Sequence, residues 1–181
     1  GALALGKKSL NFKKNNLKVS EKQAASSVGQ VLLINAWKKA FLKYKKQCGQ
    51  ILLTHLDAEI RSSAINARNT IESLLKLNSI PIINENDSVA TQELRYGDND
   101  QLAARVAQIT SSDLLIILSD VDGLYTSNPK KNSDATLIRY IKKITKSIEK
   151  SSENTSSSTA VGGMKTKIKA AKIALSAGCN M

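Results

Sequence analysis

One histidine and two cysteines in 181 residues remove several chemistries at once. A histidine-based nucleophilic triad and a histidine-rich metal site have little support, and His55 reads as an ordinary polar residue at a strand end. Cys48 and Cys179 stand far apart and form no CxxC pair, so a metal-thiolate site is not indicated. They read as reduced thiols of a cytoplasmic protein. Aromatic residues make up only 4% of the chain. Leucine, isoleucine, valine and alanine must therefore build the core, and little aromatic surface is left for stacking on bases. No apolar run approaches the ~20 residues of a membrane span, and no secretory signal is visible. The Walker A pattern G-x-x-x-x-G-K-[ST] is absent, as is any internal repeat. The first residue is glycine rather than methionine, which suggests a missing beginning.

What is present is a chain that should fold. Hydrophobic residues reach 41%, above the range of disordered segments. The length suits one domain or a large piece of one. Net charge is +12, from 27 Lys and Arg against 15 Asp and Glu. Nucleic acid or an anionic membrane surface is one explanation. A Lys-rich solvated surface is another, since the lysines come in scattered pairs such as Lys38-Lys39 and Lys142-Lys143. A small anionic substrate such as a nucleotide fits the charge equally well.

Hydrophobic periodicity predicts a helix over 20–46, with Ser20 as N-cap and Ala24, Val28, Val31, Leu32 and Ala36 as its apolar face. Strands are expected at 50–54, 80–83 and 114–118, the last a continuous apolar run of the kind buried on both faces. Helices are expected at 57–77, 100–110 and 164–177, the last closed by Gly178 as C-terminal cap. The Ser-rich stretch 147–160 reads as a mobile surface loop. Strands alternating with helices imply crossover units and a mainly parallel sheet. A strand after the last helix is expected and not found.

Three clusters carry chemistry. The run Ile80-Pro81-Ile82-Ile83 ends abruptly in Asn84-Glu85-Asn86-Asp87, and Gly97-Asp98-Asn99-Asp100 follows. Open α/β sheets place ligand groups at the carboxyl ends of their strands. These carboxylates and amides suit an amino group, a carboxylate or a metal ion. The second cluster is Ser119-Asp120-Val121-Asp122-Gly123-Leu124-Tyr125, either a nucleotide or metal site or a plain strand-to-turn exit. The third is Val161-Gly162-Gly163-Met164-Lys165-Thr166-Lys167, opening a helix. Glycines admit a phosphate closely, and a helix start offers N–H groups and a positive dipole end. A flexible joint is the bland alternative. Taken together, the clusters suit phosphoryl transfer, which needs positioning and charge neutralisation more than a covalent nucleophile.

These motifs resemble those of the bacterial glutamate 5-kinases, within the amino acid kinase superfamily. The matching text is Gly-Ala-Leu-Ala-Leu-Gly at 1–6, Glu-Lys-Gln-Ala-Ala at 21–25, Ile-Asn-Ala-Arg-Asn-Thr at 65–70 and the blocks at 80–87, 97–100, 118–126 and 162–167. Order and spacing hold over nearly the whole chain. The resemblance implies a three-layer α/β/α sandwich on a mainly parallel sheet. It implies ATP-dependent phosphorylation of the glutamate side-chain carboxylate to glutamyl 5-phosphate, the first step of proline synthesis. Asp87 and Asn99 then fall where glutamate is held, and Ser119 and Asp120 on the nucleotide side. Residues Val161, Gly162, Gly163, Met164, Lys165, Thr166 and Lys167 form the loop over the ATP phosphates. Lys167 is the transfer-stabilising lysine, and Asp100 organises the catalytic lysines. Mg²⁺ is expected to accompany ATP, with no dedicated metal site named. The complete protein is expected to be a homo-oligomer in the cytoplasm, without membrane or nucleic-acid partners.

The chain departs from the family pattern in three places. The family's first-strand lysine with Gly-Ser, and a Ser-Ser preceding Gly1-Ala2, are missing. A strand beyond Gly178-Cys179 and a C-terminal PUA domain are missing too. Val161 stands where members usually carry threonine. The chain therefore reads as an internal fragment of the kinase domain, inactive and aggregation-prone by itself. Competing readings are a kinase of another small carboxylate, a non-catalytic remnant that binds nucleotide or amino acid, and a basic nucleic-acid binder.

Overall fold

The computed structural model describes residues 1–13, 16–90, 99–127, 129, 132–153 and 163–181. The chain divides into two units, Gly1–Tyr96 and Gly97–Met181. The first contains helices α1 (Ala2–Ser9) and α2 (Val19–Leu42), strand β1 (Gln47–Leu53), helices α3 (His55–Glu59) and α4 (Arg61–Lys76), and strand β2 (Ser79–Glu85). The second contains α5 (Asn99–Ile109), α6 (Lys146–Glu153) and α7 (Met164–Ser176).

β1 and β2 pair in parallel, from Gln47 opposite Ser79 to Leu53 opposite Glu85. Helices α3 and α4 make the crossover that a parallel pair requires. This is the expected α/β class, with both strands longer than their apolar runs. The single helix expected over 57–77 is two. Thr54 caps α3: its Oγ1 accepts from the Asp57 N–H at 3.3 Å, and its N–H donates to Asp57 Oδ2 at 2.7 Å. That box starts a turn directly at the end of β1. Ile60, extended at φ −75° and ψ 116°, then ends α3 and begins α4. Ser20 does not cap α2 either. The Lys18 N–H donates to Glu21 Oε2 at 2.7 Å, one residue before the helix begins.

One device recurs wherever a helix turns back. Asn11, Lys45, Asn78, Ser111 and Gly178 all have left-handed φ, between 51° and 78°. After four of these residues the next N–H reaches back to the last helical turn: Phe12 to the Lys7 carbonyl, Lys46 to Phe41, Ser112 to Ala107 and Cys179 to Ala174. These bonds satisfy carbonyls that the helix end leaves free. The expected cap at Gly178 belongs to this series.

α2 buries a different face from the one its large apolar residues mark. Ala25, Ser26, Gly29 and Gln30 are buried, while Val31 and Leu32 are exposed. The reason is close approach. A Cβ on Gly6 would lie 1.7 Å from the Ala25 carbonyl oxygen, and one on Gly29 would lie 1.8 Å from that of Ala2. α1 and α2 therefore touch backbone to backbone, and only small residues fit between them.

In the second unit, α5 leads into Leu114 and α7 leads into Asn180. These two positions form a parallel bridge: the Leu115 N–H donates to the Asn180 carbonyl at 2.7 Å, and the Asn180 N–H to that of Asp113 at 3.0 Å. The position after α7 at which a strand is expected thus makes one parallel bridge. The two helices run in the same direction on one side of it. Ala104 and Ala107 of α5 form a core with Ala170 and Ala174 of α7 and with Cys179, and Leu115 and Ile173 pack against it.

Two expectations fail in this unit. Residues 114–118 are not a strand buried on both faces. Leu114, Ile116 and Leu118 are exposed, Leu118 at 92%, while Leu115 and Ile117 are half-buried. Among the described residues the α5–α7 layer covers one face only. Residues 147–160 are not loop throughout, because α6 occupies 146–153, and Glu149 meets Lys172 of α7 at 2.7 Å. The rest of that stretch lies outside the described residues.

The α1–α2 contact sets a sign. Replacing Gly29 by alanine should gain about 0.5–1 kcal/mol of helix propensity, and overpacking should cost about 1–3 kcal/mol. A Cβ at 1.8 Å from backbone oxygen puts the cost at the upper end. Gly29→Ala should lower the urea midpoint, and a rise would show that the two helices are not in backbone contact.

Candidate functional site

The site in the second unit is set by helix geometry. Asp100, Ala104 and Ala107 stand at i, i+4 and i+7 on α5, and Lys167, Ala170 and Ala174 at i, i+3 and i+7 on α7. Residues so spaced share one face. Where the two faces meet, alanines bring the helices close. At the amino end of the seam, Lys167 Nζ donates to Asp100 Oδ2 at 2.8 Å. Their side chains are 18% and 15% exposed, so this pair is screened less than a surface pair. Sixty-seven residues separate them in sequence.

Charge sharpens the arrangement. Asp100 lies in the first turn of α5, where a negative charge is favoured. The first turn of α7 has no acidic residue and contains Lys165 and Lys167. Two cations at the positive end of a helix are mutually unfavourable until an anion joins them. Asp100 brings a negative charge to Lys167, and the amino end of α7 itself favours an anionic ligand.

Gly163 is the N-cap of α7, with φ −85° and ψ −169°. Any residue adopts that conformation, so the backbone there does not itself require glycine. Thr166 turns inward, its hydroxyl donating to the Gly163 carbonyl at 2.7 Å. Lys165 is exposed. Val161 and Gly162 lie outside the described residues, as do Gly97 and Asp98.

Lys167 and Met164 line a cavity of about 680 Å³ together with Ser119 and Asp122. The structure thus gathers residues from the second and third sequence clusters around one space. Asp120 is exposed beside it in sequence, and the Ser119 hydroxyl donates to Asp120 Oδ1 at 3.4 Å. The Tyr125 hydroxyl donates to Asp122 Oδ2 at 3.3 Å. Partial burial and that carboxylate hold Tyr125 above its ordinary range, so the phenol stays neutral. Sequence reasoning missed the far wall, which includes Ile138, Tyr140 and Lys142. The pairing of Tyr125 with Leu137 folds that segment back, through the Ile138 N–H to the Leu124 carbonyl at 2.8 Å. No short motif marks it.

Asp87 and Asn99 fall in different units. Asp87 is half-buried in the turn that follows β2, where the Asn86 N–H donates to the Leu53 carbonyl at 2.9 Å. It stands at the carboxyl end of a parallel strand, as the sequence suggested. Asn99 is the exposed first residue of α5, next to Asp100. No described helix is long and apolar enough to cross a membrane.

The amino acid kinase family matches residues 2–181. The chain is 53% identical over 181 residues to a glutamate 5-kinase of Pelagibacter ubique (strain HTCC1062), covering 100% of the chain and 49% of that protein. It is 52% identical over the same length to a glutamate 5-kinase of Agrobacterium fabrum (strain C58 / ATCC 33970), of which it covers 46%. A glutamate 5-kinase of Nitrobacter winogradskyi (strain ATCC 25391 / DSM 10237 / CIP 104748 / NCIMB 11846 / Nb-255) is 51% identical, with 48% covered. The chain spans about half the length of the curated relatives it matches.

Proposed function

The chain belongs to the amino acid kinase family, and from that premise we propose that its protein transfers the γ-phosphoryl group of ATP to the side-chain carboxylate of L-glutamate. The products are glutamyl 5-phosphate and ADP. One observation supports the reaction class: an ammonium–carboxylate pair fixed at the joint start of two helices, its lysine lining a cavity. The substrate follows from the relatives, which are named glutamate 5-kinases.

A glutamate carboxylate oxygen attacks the γ-phosphorus. The bond from that phosphorus to the β,γ-bridging oxygen breaks, and its electron pair leaves with ADP. No covalent enzyme intermediate is needed. The difficulty is electrostatic, since an anion approaches an anion. Lys167 is the cation for the transferring group, and Asp100 holds its Nζ in place. The start of α7, from Gly163 to Thr166, faces the phosphates, with Val161 and Gly162 continuing that loop. Ser119 and Asp120 serve the nucleotide side. Asp87 is the carboxylate suited to the substrate ammonium, and Asn99 offers a neutral amide suited to glutamate. Among the described residues no cluster of three His, Cys, Asp or Glu side chains suits a metal ion. Asp120 and Asp122 suit a Mg²⁺ carried mainly by phosphate oxygens and water, whose role is charge neutralisation.

The product class places the protein at the start of proline synthesis. Reduced Cys48 and Cys179 fit the cytoplasm. Exposed Val31, Leu32, Trp37 and Leu42 on α2 fit a homo-oligomer.

The direct test is ADP release by the full-length protein with glutamate, aspartate or N-acetylglutamate. Glutamate alone should support turnover. Turnover with aspartate instead would indicate another carboxylate kinase, and nucleotide binding without turnover a binding protein. Asp87→Ala should raise the KM for glutamate about tenfold or more while leaving that for ATP within about twofold. A shift in the ATP value instead would reverse the two half-sites.

A further inference from the structure

α2 presents a polar stripe to the turn after β2. Gln23, Ser27 and Gln30 stand at i, i+4 and i+7 and so share one face. Gln30 reaches the last residue of β2, and Ser27 and Gln23 reach the turn that follows it. Gln30 Nε2 donates to the Glu85 carbonyl at 3.3 Å. The Ser27 hydroxyl donates to Ser88 Oγ at 3.0 Å. Gln23 Nε2 donates to the Ala90 carbonyl at 3.4 Å. The three contacts bracket Asp87 on both sides. Gln30 is itself fixed, because Gln50 of β1 donates to its Oε1 at 3.2 Å. It is 5% exposed, an uncommon place for a glutamine. A buried amide with both ends engaged holds one rotamer, and leaving its partners unpaired is costly.

The geometry points to Gln30, with Ser27 and Gln23, as positioning residues that set glutamate affinity by clamping the 85–90 turn and hence Asp87. This rests on the proposal that Asp87 binds the glutamate ammonium. None of the three is a catalytic residue, since each acts through the turn. Their effect should fall on one substrate: a loosened turn misplaces the ammonium partner and leaves the phosphate side intact.

The test uses the full-length protein with Gln30→Met, which keeps the shape and removes the donor, and Ser27→Ala, which trims an exposed hydroxyl and should not impair folding. Gln30→Met should raise the glutamate KM about tenfold, the scale of one lost hydrogen bond. Ser27→Ala should raise it about twofold to threefold. The ATP KM, and kcat at saturating glutamate, should stay within about twofold. Amide hydrogen exchange over 86–90 should quicken at least about threefold in Gln30→Met. Equal rises in both KM values, or a fall in kcat, would mean general loosening and overturn the proposal. Faster exchange with an unchanged glutamate KM would overturn it as well. Absence of glutamate turnover in the wild-type protein would instead sink the substrate reading, and the exchange rates would still decide the clamp: unchanged exchange over 86–90 overturns it.

Discussion

The second unit depends on two helices meeting through alanine. Ala104 and Ala107 face Ala170 and Ala174, and larger side chains there would push α5 and α7 apart. That spacing lets Lys167 reach Asp100 from one helix start to the other. The same direction of travel, imposed by the parallel bridge of Leu114 and Asn180, brings two positive dipole ends to one place. The result is a cation held by a carboxylate at the joint start of two helices, whose dipoles favour an anion. The phosphoryl transfer proposed for this site needs such a field in place before the substrates arrive.

The first unit reaches a similar end by different means. Gly6 and Gly29 let α1 and α2 touch through backbone. That contact occupies one face of α2, and the neighbouring polar stripe faces the end of β2. Small residues determine where the helix lies, and the amides then hold the turn. The large apolar residues Val31, Leu32, Trp37 and Leu42 of α2 stay exposed. Packing here is decided by what is small enough to permit approach, which hydropathy does not rank.

This explains which parts of the fold could be read from sequence. The alternation of strands and helices was legible because apolar runs and 3.6-residue periodicity are strong local signals. So was the cap at Gly178, where residue type and position agree. Asp100 and Lys167 were singled out by motif, and the structure adds that they touch. The face of α2 was misread because Ala25, Ser26, Gly29 and Gln30 look like a weak stripe beside Val31 and Leu32. The break at Ile60 was hidden because no proline or glycine marks it, only a capping box that acts three residues ahead of each contact. Residues 114–118 looked doubly buried because composition reports apolarity and is silent on how many layers cover it. The cavity wall around Ile138 and Tyr140 depends on the pairing of Tyr125 with Leu137, which hydrophobic periodicity does not mark.

The central claim is that Asp100 acts on the proposed reaction through Lys167. The most direct measurement is a double-mutant cycle on kcat in the full-length protein, with Lys167→Ala, Asp100→Asn and both together. Lys167→Ala should lower kcat on the order of 10²-fold or more, and Asp100→Asn about tenfold by freeing the lysine. If the pair is one device, the double variant should be no slower than Lys167→Ala alone, because an aspartate without its lysine has nothing left to position. Losses that multiply in the double variant would mean that Asp100 has a separate role and would contradict the account.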